Sequence, residues 1–134
     1  MTAIFRPLVI ASLIAAVINQ VLYFVATEMF GQEFILAQGE PMGIPVFAPA
    51  MFSIFQGVVG GVVVAWIASR TRSPRNVWLS ISLIALALSF VLPFGGVQGF
   101  EAAVWLNVMH VVAGALIIPM VRNALPATAP QQEN

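Results

Sequence analysis

The chain contains no cysteine, no aspartate and no lysine, and it has a single histidine. Without cysteine there are no disulfides, no thiolate nucleophile and no cysteine-ligated zinc or iron–sulfur centre. Without aspartate or lysine most of the usual acids, bases and amine nucleophiles are missing, and no serine has an obvious base at its own level of the chain. An enzyme is therefore not expected. Charge of either sign is also scarce, at 7% of residues with a formal net charge of zero. A soluble domain carries roughly a quarter of its residues charged, so the solvent for this surface must be lipid. No basic stripe runs along the sequence to follow a phosphate backbone, so no nucleic acid partner is expected.

What the chain has instead is hydrocarbon. Of its 134 residues 60% are hydrophobic, and the mean hydropathy is +0.99. The apolar residues gather into four runs, which predict helices at about 7–27, 49–69, 74–92 and 102–122. Runs of about 20 residues at 1.5 Å each cross a hydrocarbon core of about 30 Å. The first run follows Arg6 in the manner of a signal peptide, but Phe24 two residues before Ala26 spoils the small-x-small cleavage site. It reads as a retained span.

The loop from Glu28 to Ala48 carries Glu28, Glu33, Glu40, Pro41 and Pro45 together with Met29, Phe30, Phe34, Ile35 and Leu36. That mixture predicts a short amphipathic turn at the headgroups, in preference to a lid. Pro49 suits the first turn of the second helix, and Ser73–Pro74 suits the N-cap and first residue of the third. Pro93 is expected to end that helix, with Gly95, Gly96 and Gly99 making a flexible return. Residues 1–125 read as one transmembrane domain, and 126–134 have the composition of a disordered tail.

The arginines set the orientation. Threading four spans places Arg6, Arg70, Arg72, Arg75 and Arg122 on one side, and Glu28, Glu33, Glu40 and Glu101 on the other. By the positive-inside rule both termini, the tail and the 70–75 hairpin are cytoplasmic. The predicted fold is an all-α membrane protein, an antiparallel four-transmembrane-helix bundle.

Two patterns mark the interior of that bundle. Ser53, Gly57, Gly61, Ala65 and Ser69 form an unbroken i, i+4 stripe on the second helix, which lets another helix backbone approach closely. The second pattern is one of depth. Asn19 lies 13 residues from Arg6, Gln56 14 from Arg70 and Ser89 14 from Arg75, while Asn107 and His110 lie 15 and 12 from Arg122. At the helical rise these are all about 18–22 Å from the cytoplasmic arginines, so Asn19, Gln56, Ser89, Asn107 and His110 are expected to share one interior polar layer.

Its simplest role is interhelical hydrogen bonding that fixes register. The alternatives are a small-solute or proton path along the bundle axis, or a tetrapyrrole with His110 as axial ligand and Gly114 giving clearance. Against a transport path, no acid lies within the spans, and inverted repeats and broken helices are not evident.

Asn19-x-x-x-Tyr23, the hairpin Arg-Thr-Arg-Ser-Pro-Arg entering an apolar helix, Leu-Ser-Phe-Val-Leu-Pro ending it, and Met-His-Val-Val-Ala-Gly followed by Ile-Ile-Pro form a recognisable set. With them the chain, apart from its tail, resembles a domain-of-unknown-function family of small bacterial four-helix integral membrane proteins. The resemblance implies a bacterial inner-membrane bundle with no assigned activity, and it singles out Asn19, Met109 and His110 without giving them roles. The expected function is an accessory or packing subunit of a larger membrane assembly, or a homo-oligomer, surrounded by lipid.

Overall fold

The computed structural model describes residues 2–128; residues 129–134, where most of the expected disordered tail falls, lie outside it. The described chain is helical. Helix α1 (Thr2–Phe24) ends in a π-helical turn, Val25–Met29. Helices α2 (Ala48–Phe55) and α3 (Gly61–Ser69) are joined without a break by a second π-helical turn, Gln56–Gly60. Helix α4 (Pro74–Ser89) is followed by the short α5 (Leu92–Gly96), and α6 spans Phe100–Ala124. Four spans are long and apolar enough to cross a membrane: Ile4–Met29, Ala48–Ser69, Pro74–Gly96 and Phe100–Ala124. They mark the chain as a multi-pass membrane protein.

Two boundaries differ from the sequence expectation, both at prolines. The first helix starts before Pro7, which sits inside α1 and removes only one backbone donor there. Pro93 does not end the third span. The chain tightens through Phe90 N–H to Ala87 O and Val91 N–H to Leu88 O, and Pro93 then opens the first turn of α5, where its missing N–H is not needed. Ser73 occupies the N-cap of α4, but its backbone carbonyl, not its hydroxyl, receives the first N–H groups, from Asn76 and Val77.

The first span is the centre of the molecule. Of its most apolar window 39% is buried, against 17%, 17% and 11% for the other three. It packs along both α2 and α6, while α4 packs on α3 and α6. The inward face of α1 is made of small and polar residues: Ala11, Ser12, Ala15, Ala16 and Asn19 are all buried. Its outward residues Leu13, Val17, Val21 and Phe24 are exposed and face lipid. Without water, burial of apolar side chains gives little driving force between helices, so close approach and hydrogen bonding must hold them together.

Two apolar clusters finish the bundle, one at each end. The first joins Ile4 and Leu8 of α1 to Ala65, Ala68, Trp78, Val121 and Leu125. The second joins Tyr23 and Ala26 to Phe34, Val97, Ala102, Ala103 and Met109. The start of the first span thus meets the end of the fourth, and the end of the first meets the start of the fourth.

The segment after the first span folds back on itself and packs against the bundle. Gly31, at φ +64°, turns the chain out of the helix in the left-handed conformation that glycine adopts freely, and Gln32 N–H bonds back to Ala26 O at 2.9 Å. Residues 34–44 then fold back on themselves, with Leu36 N–H donating to Met42 O at 2.9 Å and Ile44 N–H to Phe34 O at 2.7 Å. The fold-back is laced to the segment between α5 and α6 by Ala37 N–H to Gly96 O and Gln98 N–H to Ile35 O. Phe34 stacks on Tyr23 with ring centroids 5.1 Å apart, and the Tyr23 hydroxyl donates to Ile44 O at 3.2 Å. The two segments form one cap over the end of the bundle where the first span ends and the fourth begins.

Candidate functional site

Asn19 is the best-connected polar side chain in the interior. It is 3% exposed. Its amide nitrogen donates to Ser53 Oγ at 2.9 Å and to Met109 O at 3.2 Å. The Ser53 hydroxyl passes its own hydrogen to Pro49 O at 2.7 Å, one turn back. Both amide hydrogens of Asn19 are therefore committed, and one side chain ties the first, second and fourth spans at a single level. The remaining oxygen, Asn19 Oδ1, is buried without a partner.

Close approach makes this junction possible. Gly57 faces Ser12 and Ile117 where the same three spans converge. A methyl group placed there would collide with Ser12 Oγ and lie 3.0 Å from Ile117 Cδ1 and 3.1 Å from Ser12 Cβ. Gly61, one turn on, is covered in the same way by the terminal methyls of Leu8. The stripe continues to Ala65, which is buried, but Ser69 is exposed and bonds Trp66 O of its own helix at 2.8 Å. Ala68 is buried in its place. The reason is helical drift: residues four apart are displaced by about 40° in a 3.6-residue helix, so a long i, i+4 row winds away from its partner. The π-helical turn at Gln56–Gly60 holds Gly57 and Gly61 in line, and the row leaves the interface afterwards.

The other residues expected in the polar layer do not join Asn19. Gln56 is exposed at the first position of the π-helical turn, on the outer side of the second span, so the expected interior placement is corrected. Ser89 is half-buried and donates to Leu86 O of its own helix at 2.7 Å. Asn107 donates to Phe90 O at 3.2 Å, which fastens the fourth span to the end of α4, and its own oxygen is buried and unpartnered. His110 is half-buried, with Nδ1 2.7 Å from Leu106 O one turn back. Since a carbonyl only accepts, Nδ1 carries the hydrogen in this bond. Ser89 and His110 are satisfied within their own helices, as hydroxyls and ring nitrogens readily are by a carbonyl three or four residues back.

Three groups that the sequence did not single out as contacts help to build the bundle. Trp78 is 2% exposed and donates from Nε1 to Ile118 O at 2.9 Å. Arg75 Nε donates to Leu125 O at 2.7 Å. Ser12 is fully buried on α1 with no partner for Oγ. A tryptophan and an arginine close to the predicted headgroup level read as interfacial anchors in a sequence; nothing in the pattern shows that they also grip a neighbouring helix.

Besides the junction, an open cleft lies on the surface of the bundle. It has a volume of about 330 Å³ and lies between α4 and α6, lined by Leu83, Leu86, Val111, Gly114, Ala115, Ile118 and Pro119. His110 is not among its walls. Among the described residues, no three His, Cys, Asp or Glu side chains come together in a metal-binding group.

Neither the curated proteins nor the solved structures contain a match to the chain. A family model described as a family of unknown function (DUF6069) matches residues 1–127. By that match, which covers nearly the whole sequence, the chain belongs to the family of unknown function DUF6069.

Proposed function

We propose that the protein is a non-enzymatic accessory or packing subunit of the bacterial inner membrane, acting within a larger assembly or as a homo-oligomer. The helices form an antiparallel bundle with both termini cytoplasmic. The observation that carries this reading is the Asn19 junction: both hydrogens of the one well-buried amide are spent on helix–helix contacts. The interior chemistry thus serves assembly of the bundle. The second and fourth spans, of whose apolar windows only 17% and 11% are buried, supply the surface on which lipid and other subunits would lie. The end-to-end pairing of the first and fourth spans in the two apolar clusters supports the antiparallel arrangement, and the segregation of arginine from glutamate supports the orientation.

The absence of native cysteine makes a direct test available, because any single cysteine is a unique label. In intact cells Gln98→Cys is expected to react with a membrane-impermeant maleimide, whereas Thr71→Cys should react only after the membrane is opened. The reverse pattern would overturn the orientation. Purification in mild detergent with measurement of mass is expected to give a defined homo-oligomer or a stoichiometric complex; a monodisperse monomer with no companion would overturn the subunit role.

One observation favours a second reading. The hydrogen bond from His110 Nδ1 to Leu106 O leaves Nε2 as the ligating nitrogen, the arrangement required of an axial ligand. A tetrapyrrole held there would give visible absorption bands that disappear in His110→Ala. A colourless preparation from cells replete in haem would eliminate this reading.

A further inference from the structure

We propose that the cleft between α4 and α6 is a specific site for one anionic phospholipid, with an acyl chain along the cleft and the phosphate between Arg75 and Arg122. Leu83, Leu86, Val111, Gly114, Ala115, Ile118 and Pro119 line a channel of about 330 Å³ open to the side. That lining fits a hydrocarbon chain and offers nothing to a polar solute. The same helical faces lead to the two arginines. On α6, Arg122 follows Ile118 by four residues and Pro119 by three. On α4, residues 75, 79, 83 and 86 are spaced by four, four and three, so Arg75 and Leu79 lie on the face of Leu83 and Leu86.

The arginine end is already gathered. Arg75 Nε donates to Leu125 O at 2.7 Å, which draws the start of α4 to the end of α6 and holds the Arg75 guanidinium beside the fourth span. Trp78 Nε1 to Ile118 O, at 2.9 Å, joins the same two helices one turn further in. Arg122 is only half-buried, yet its Nε is shielded and without a hydrogen-bond partner. An unpaired guanidinium donor at the end of an apolar cleft calls for an oxyanion, and phosphate matches the planar fork of arginine. The acids of the described chain, Glu28, Glu33, Glu40 and Glu101, flank the opposite ends of the spans and cannot serve. Basic pockets between helices at a headgroup layer are where anionic lipids are held.

A second copy of the chain fits less well. All five arginines flank the same ends of the four spans, so a copy inserted in the same orientation would bring positive charge to a positive end. An anionic lipid neutralises it.

The test uses the full-length protein in mild detergent, incubated with phosphatidylglycerol or phosphatidylcholine and analysed by native mass spectrometry. One phosphatidylglycerol is expected to remain bound through delipidation that removes phosphatidylcholine. Arg122→Gln and Arg75→Gln should each weaken its retention about fivefold, the effect of one basic side chain at a membrane surface. Ala115→Phe, which fills the cleft and leaves the charges, should weaken retention to a similar extent. Arg72→Gln, on the same side but in the hairpin, should leave it unchanged. Helical circular dichroism accompanies each variant; if Arg122→Gln does not fold, Arg75→Gln and Ala115→Phe decide. Equal retention of the two lipids, or an equal loss in Arg72→Gln, would show only a diffuse basic surface and overturn the site. So would displacement of the lipid by millimolar inorganic phosphate, or an Ala115→Phe variant that changes oligomeric state and keeps its lipid.

Discussion

Gly57→Ala is expected to destabilise the bundle by about 1–3 kcal/mol, and Gly57→Val by more than that range, as overpacking of a filled interior does. The added methyl meets Ser12, whose short side chain has no distant end to swing away, together with Ile117. Either the first span moves outward or the fourth does, and both movements stretch the Asn19 bonds to Ser53 and Met109. Gly60 supplies the internal control. It lies three residues further along the same span, and a methyl group built there meets nothing within 4 Å. Gly60→Ala should therefore be neutral or slightly stabilising, since alanine is the better helix former. The measurement is reversible unfolding of both variants in the same detergent, followed by circular dichroism. Equal effects at the two positions would mean that the close approach at Gly57 does not hold the spans together.

Asn19→Leu should cost about 2 kcal/mol. Hydrogen bonds between membrane helices average about 0.6 kcal/mol and reach about 1.7, and two are lost here. The change also places a branched side chain where the planar amide lay between Ser53 and Met109. Coupling distinguishes this from simple loss of packing. Ser53→Ala removes the same bond from the other side, so the double variant should cost less than the sum of the two single ones. Strict additivity would show that the Asn19–Ser53 bond contributes nothing, and the register role of the junction would fall with it.

Counting residues from the arginines gives each polar group an expected depth, because the helical rise is nearly constant, but says nothing of the face on which it lies. Phase is cumulative, and one extra residue in a turn changes it. The π-helical turn at Gln56–Gly60 is such a change, and it accompanies the outward position of Gln56; ordinary drift in the α-helix beyond it then carries the stripe out of the interface before Ser69. Hydrogen-bond partners were the least legible feature. Ser89 and His110 each find a carbonyl on their own helix, a solution always open to such side chains. The cap over the end of the bundle was invisible for another reason. It is laced mainly by main-chain groups of residues 35–37 and 96–98, which many side chains would permit.

Asn19 is made early and completed late. Its two acceptors lie 34 and 90 residues further along the chain. At about 5–20 residues per second of synthesis, the backbone oxygen of Met109 emerges roughly 5–18 s after the asparagine. For the first 34 residues of that interval neither acceptor exists, and afterwards the first two spans form a hairpin whose amide has one acceptor in place and the other still unmade. Until the fourth helix arrives, water or the insertion machinery has to satisfy the amide in its place. The residue that secures the finished bundle is thus an unsatisfied polar group in the half-built chain.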